Sequence, residues 1–146
     1  MIDSLEDWLA TASISGEPAA TEAELREVES HIGRRLPDKI RRVLKTENCP
    51  EGFIGKAYVA FFNVHDLIQC WRNAQESAPG FVPFASDGGG EWYGFDSRQD
   101  APPFLLMPAI GMEWGVAMLL GANWSSFSET LQRGNLFDHQ YRPPQD

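Results

Sequence analysis

Apolar residues recur at helical spacing in several stretches of the chain and alternate at strand spacing in others, and the two periods predict an order of elements. Asp3 and Glu6 have capping-box spacing ahead of Leu5, Trp8, Leu9 and Ala12, which predicts a short first helix, and residues 13–20 read as a linker. Thr21 and Glu24 form a second box before Leu25, Val28 and Ile32, and Gly33 supplies the stop. Leu36-Pro37 opens a helix with Ile40, Val43 and Leu44 as its buried stripe, because proline in a first turn lacks an N–H that the helix does not use. Asn63 is placed to cap a helix carrying Val64, Leu67, Ile68 and Trp71. Ser126 and Glu129 predict a third capping box, starting a closing helix that buries Phe127 and Leu131 and ends at Gly134; the RPPQD end is expected to fray. Residues 57–62 read as a strand, residues 103–111 as an apolar run with strand-end prolines, and residues 112–120 fit strand or helix equally. Helices first, then strands broken by one helix, then a terminal helix point to an α+β single domain with helices packed on one face of a mainly antiparallel sheet. Leu25, Val28, Ile32, Ile40, Leu44, Phe61, Leu67, Trp71, Phe84, Phe95, Phe127 and Leu131 form the predicted core.

The most informative segment is FVPFASDGGGEWYGFD, residues 81–96, where two strand-like runs meet at an aspartate followed by three glycines. Asp-Gly between apolar runs signals a hairpin, since primed turns need positive φ and glycine reaches it without a Cβ clash. At least one of Gly88, Gly89 and Gly90 is therefore expected at positive φ, and the triplet exceeds what a minimal turn requires. Alternation puts Trp92 and Gly94 on one face of the second strand and Tyr93 and Phe95 on the other. A phosphate-cradling loop would need a helix and a lysine after the glycines, whereas Glu91 and a strand follow.

Composition narrows the function. At 146 residues with 42% hydrophobic content the chain can bury a core without staples. The start lacks the basic and apolar pattern of an export signal, and no apolar run is long enough to cross a membrane, so a cytoplasmic location without membrane contact is expected. Cys49 and Cys70 lack metal or disulfide spacing and read as free thiols. A net charge of −9 disfavours nucleic acid and favours basic partners. Acids crowd residues 1–33, while Arg34, Arg35, Lys39, Arg41, Arg42 and Lys45 form a basic run that reads chiefly as the solvated face of a helix.

Chemistry is sparse. His31, His65 and His139 lie in separate elements, and there is no nucleophile elbow, Cys-His signature or calcium-loop spacing, so no metal, cofactor or catalytic residue is predicted. Asp87, Glu91 and Asp96 leave a carboxylate-dependent hydrolase as a lesser alternative. Trp92, Trp114 and Trp124 lie near glycines or loops, and at least one exposed indole is expected among them.

With these motifs placed, the chain resembles the SUKH superfamily, the Smi/Knr-type domains of bacterial toxin-immunity proteins and fungal cell-wall regulators. The resemblance spans about residues 21–133, between an N-terminal helix and linker (1–20) and a tail (135–146). Four parts carry it in order: a helix with Glu29 and Ile32; Leu36-Pro37 leading to Leu44 and Asn48; the block from Pro83 through Glu91 that closes at Phe95-Asp96; and the helix from Ser126 to Leu131. Cys49 stands after Asn48 where the family often has glycine. The resemblance implies a strongly bent sheet and a non-enzymatic protein-binding domain, with an immunity protein that blocks a basic toxin of nuclease or deaminase type as the leading expectation. A regulatory or scaffold module without a toxin partner is the alternative. The expected partner-binding residues are Asp87, Glu91 and Trp92 at the hairpin, with Glu24 and Glu27 on the acidic helix as a second surface; Gly88, Gly89 and Gly90 have the structural loop role. The oligomeric state is left open.

Overall fold

A computed structural model describes residues 8–9, 12, 18–46 and 49–142. The Asp3/Glu6 box, Asn48 and the last four residues lie outside the described residues. The elements are α1 (Glu22–Ile32), α2 (Asp38–Thr46), β1 (Glu51–Ile54), β2 (Ala57–Phe61), α3 (Val64–Gln75), β3 (Phe81–Ser86), β4 (Glu91–Asp96), β5 (Phe104–Pro108), a 3-10 turn (Trp114–Val116), β6 (Met118–Gly121) and α4 (Trp124–Arg133). The six strands form one antiparallel sheet in sequence order, curled into a half-barrel.

Local sequence explains most boundaries. Thr21 and Glu24 make the expected reciprocal capping box, Asn63 Oδ1 accepts from the Asp66 N–H, and Gly33 and Gly134 end their helices in the left-handed region. At α4 the expectation is corrected. Asn123, not Ser126, is the cap, and Ser126 is the third helical residue that completes the box, while Glu129 pairs with Arg133 one turn on. Asparagine offers the same short acceptor as serine, and it lies where the chain leaves β6. The ambiguous run 112–120 divides into the 3-10 turn and β6.

The main core lies between the helices and one sheet face. Phe127 of α4 is fully buried among Phe84, Tyr93, Phe104 and Trp124, with ring centroids 5.0–6.0 Å away. Ten of the twelve predicted core residues are buried; Ile32 and Trp71 are half-buried at its margin. Tyr93 and Phe95 are the inward aromatic pair of β4, as alternation required. Gly94 on the opposite face makes room for the Phe81 ring, whose atoms would lie 2.5 Å from an added Cβ.

A second cluster on that opposite face was not legible beforehand. Phe81, Leu105 and Met107 are roofed by Met112, Ala117 and Tyr141, with Trp114 against them. Tyr141 belongs to the stretch that reads as tail, yet the Tyr141 N–H donates to Ala117 O and the Leu119 N–H to His139 O, so residues 139–141 dress the β6 edge. Asp96, at the end of β4, is 0% exposed and takes a two-pronged contact from Arg98 (2.8 and 3.0 Å) and a 2.7 Å bond from the Tyr141 hydroxyl. Arg98 in turn lies over the Trp114 ring at 4.0 Å.

Candidate functional site

The tip of the β3–β4 hairpin is built by Asp87. Its Oδ1 accepts the N–H groups of Gly89 (2.7 Å) and Glu91 (3.0 Å), its own N–H donates to Glu91 O, and Ser86 Oγ accepts from Gly88. Gly88 and Gly90 have φ of 79° and 101°, whereas Gly89 does not need the left-handed region. The carboxylate therefore organises the turn that displays it, which lowers the ordering cost of any contact made there.

The structure brings Asp87 and Glu91 together and sends Trp92 elsewhere. Glu91 and Trp92 are consecutive on a strand and so face opposite sides of the sheet. Burial raises the Glu91 carboxyl above its ordinary range, and the Asp87 charge adds to that. Trp92 is half-buried on the face away from the helices, where its ring meets Phe62 edge-on at 5.8 Å. Beside the tip the β5–β6 loop carries Ile110, 93% exposed, held close by the Ala109 N–H to Gly90 O bond. Ile110 was missed in the sequence, although its position between Pro108 and Gly111 marks it as an apolar residue in a loop.

The two charged helices are largely occupied with each other. Arg41, expected on a solvated face, is buried and bridges Glu22 (2.7 Å) and Glu29 (2.9 Å), Lys45 reaches Glu22 at 3.1 Å, and Glu29 also accepts the Leu36 N–H. Hydrogen bonds from Arg41, then Lys45, hold Glu22 down at about 2. Glu29 stays below its usual range because those from Arg41 and Leu36 outweigh its burial. Arg34 donates to Gln99 O and lies near the Phe95 ring, fastening α1 to the β4–β5 loop. Glu24 and Glu27 remain exposed on α1, with Glu24 engaged in its capping box.

Asp96, the third candidate carboxylate, is sealed beneath Arg98 and Tyr141, so it does not join Asp87 and Glu91 at the surface. Among the described residues no group of three His, Cys, Asp or Glu side chains is placed to hold a metal ion, and no helix is long and apolar enough to cross a membrane. Burial pushes the half-buried Cys70 thiol up to about 11, with Asp66 adding to the effect.

A hairpin tip shaped by an acid and glycines, on a curled meander with helices over one face, agrees with a comparison against protein families, in which the SMI1 / KNR4 family (SUKH-1) matches residues 19–133. The chain belongs to the SUKH-1 family. A comparison with curated proteins finds no match. Membership in SUKH-1 brings a general protein-binding role of the immunity or regulatory kind, in a family that is generally non-catalytic.

Proposed function

We propose that this SUKH-1 protein is a cytoplasmic immunity protein that binds and blocks a basic toxin domain of nuclease or deaminase type. The observation that carries the reading is the tip itself, where the Asp87 carboxylate is fixed by the turn it organises, with the Glu91 carboxyl close enough to feel its charge and the exposed Ile110 beside them. Like charges kept close are costly to the free protein and are relieved by a cationic partner, and a net charge of −9 steers such a partner in. Asp87 and Glu91 make the proposed contact at the tip, and Trp92 joins it from the opposite face of the sheet. Glu24 and Glu27 form the second candidate surface, reduced by the internal pairing of Glu22 and Glu29.

Co-purification of the tagged protein from cells carrying its native genomic neighbourhood should recover one dominant basic partner. Against that partner, Asp87→Asn keeps the turn acceptor and removes the charge, so together with Glu91→Gln it should slow association and flatten its salt dependence, whereas Trp92→Ala should speed dissociation. Unchanged kinetics for all three variants would exclude this surface. Recovery of a non-toxin partner alone would favour a regulatory or scaffold role.

A further inference from the structure

The sheet face turned away from the helices carries a feature that the hairpin tip does not. The strand registers set Glu51 opposite Ala60, Ala60 opposite Ser86 and Ser86 opposite Trp92, so four side chains line up across β1 to β4 on one face. The middle two are small, which leaves a low floor between Glu51 and Trp92. Tyr58, two residues before Ala60 on β2, projects on the same face, and Phe62, just past the end of β2, reaches that face at Trp92. The Phe62 ring meets Trp92 edge-on, and the Tyr58 hydroxyl donates to Glu51 Oε2 at 2.7 Å, which turns the phenol toward the row and fixes the carboxylate. The Phe53 ring meets Tyr58 edge-on at 5.1 Å, and the backbone of Gly88 lies beside the Tyr58 ring. Ala60, Ser86 and the three aromatic residues are half-buried and Glu51 is exposed, so the floor is open to solvent.

A small-residue floor with three aromatic walls and one carboxylate is suited to a flat organic cation. Aromatic faces attract a cation through their quadrupole, a carboxylate adds charge-assisted hydrogen bonds, and a guanidinium is weakly hydrated and stacks well. We infer that this depression receives an arginine side chain of the basic protein partner. The inference rests on the protein-binding reading above and adds the chemical group that is recognised. It also gives Trp92 a role separate from that of the tip acids, which face the other way.

Titrating isotope-labelled protein with Nα-acetyl-arginine methylamide, and with its neutral citrulline analogue, tests this by NMR without any partner. The Ala60 methyl, Tyr58 ring and Trp92 indole resonances should shift with arginine and stay in place with citrulline. Glu51→Gln should weaken the response about threefold or more, and Ala60→Leu, which fills the floor, should abolish it. If Ala60→Leu does not fold, as judged by its spectrum, Ala60→Val and Glu51→Gln carry the same test. An equal response to citrulline, a response confined to Asp87 and Glu91, or one that survives filling of the floor would overturn the inference. The two readings fail separately, because a partner that binds Ala60→Leu as tightly as the original protein removes the arginine site and leaves protein binding intact. Failure to find any partner counts against the proposed function while the arginine titration still stands.

Discussion

Asp87 meets a backbone requirement of the turn with the same carboxylate that supplies charge in the proposed contact. Asp87→Asn should retain most stability because an amide oxygen can accept the same two N–H groups, whereas Asp87→Ala should cost about 1 kcal/mol in urea denaturation by leaving them unpaired at the turn. Alanine at Gly88 or Gly90 should cost about 1 kcal/mol and at Gly89 much less, since only the first two sit at positive φ. The turn was readable because Asp-Gly chemistry is local. That the triplet is used unevenly was not, because which glycine turns left depends on the register of the flanking strands. Cys49 offers a converse test. It holds φ at 56°, where a Cβ is disfavoured, so Cys49→Gly should be more stable than Cys49→Ala by about 1 kcal/mol, measured as the difference between their unfolding midpoints.

At the scale of elements, helix caps were legible wherever the cap stood directly before an apolar stripe, as at Thr21 and Asn63. The closing helix was anticipated three residues late because Ser126 and Glu129 have capping-box spacing of their own, and only the chain path out of β6 decides between them and Asn123. The consequence is measurable: Asn123→Ala should cost about 1 kcal/mol, whereas Glu129→Ala should cost no more than about 0.5 kcal/mol, as expected for an exposed pair one turn apart. Close approaches between elements were also hidden in the sequence. Gly55 in the β1–β2 turn has φ of 60° and would place a Cβ 2.3 Å from the Gln132 backbone, so alanine there should be harsher than at any tip glycine. The row across the outer sheet face escaped notice for a similar reason, since Ser86 comes to lie opposite Trp92, and Glu51 falls in line with them two strands further on, only when four strands are set in register.

For the whole molecule, the pattern of ionisation predicts an acid limb in stability. Glu22, Glu29 and Asp96 all lie below their ordinary range when folded; in Asp96 the hydrogen bonds from Arg98 and Tyr141 outweigh burial. A carboxyl depressed by folding contributes stability that is complete above its unfolded value and is lost as pH falls through the folded one. For Glu22 that window runs from 4.5 down to about 2, so urea midpoints should decline across it, and Arg41→Met should confine the Glu22 part to its upper end. Glu91 has the opposite sign: its raised carboxyl takes up a proton before the depressed ones on acidification, so the contact proposed at the tip should weaken before the fold does. Asp96→Asn should cost about 2–4 kcal/mol, toward the lower end because Arg98 is partly exposed. The α+β architecture could be derived from element order and inward alternation. The second cluster could not, because Met112, Ala117 and Tyr141 come from irregular segments in which no period marks a face.

The sheet grows between sequence neighbours, so its hairpins can form in the order in which they are synthesised. The Asp96 carboxylate departs from this pattern, since its tyrosine partner lies 45 residues further along the chain. Until Tyr141 arrives, a nearly finished sheet holds a charged residue whose cover is incomplete and exposes the apolar side chains beneath. Docking of residues 139–141 should therefore come late in folding, so Tyr141→Phe should speed unfolding far more than it slows refolding in stopped-flow measurements. During translation, a stalled chain would present to proteases and chaperones a face that the completed protein hides.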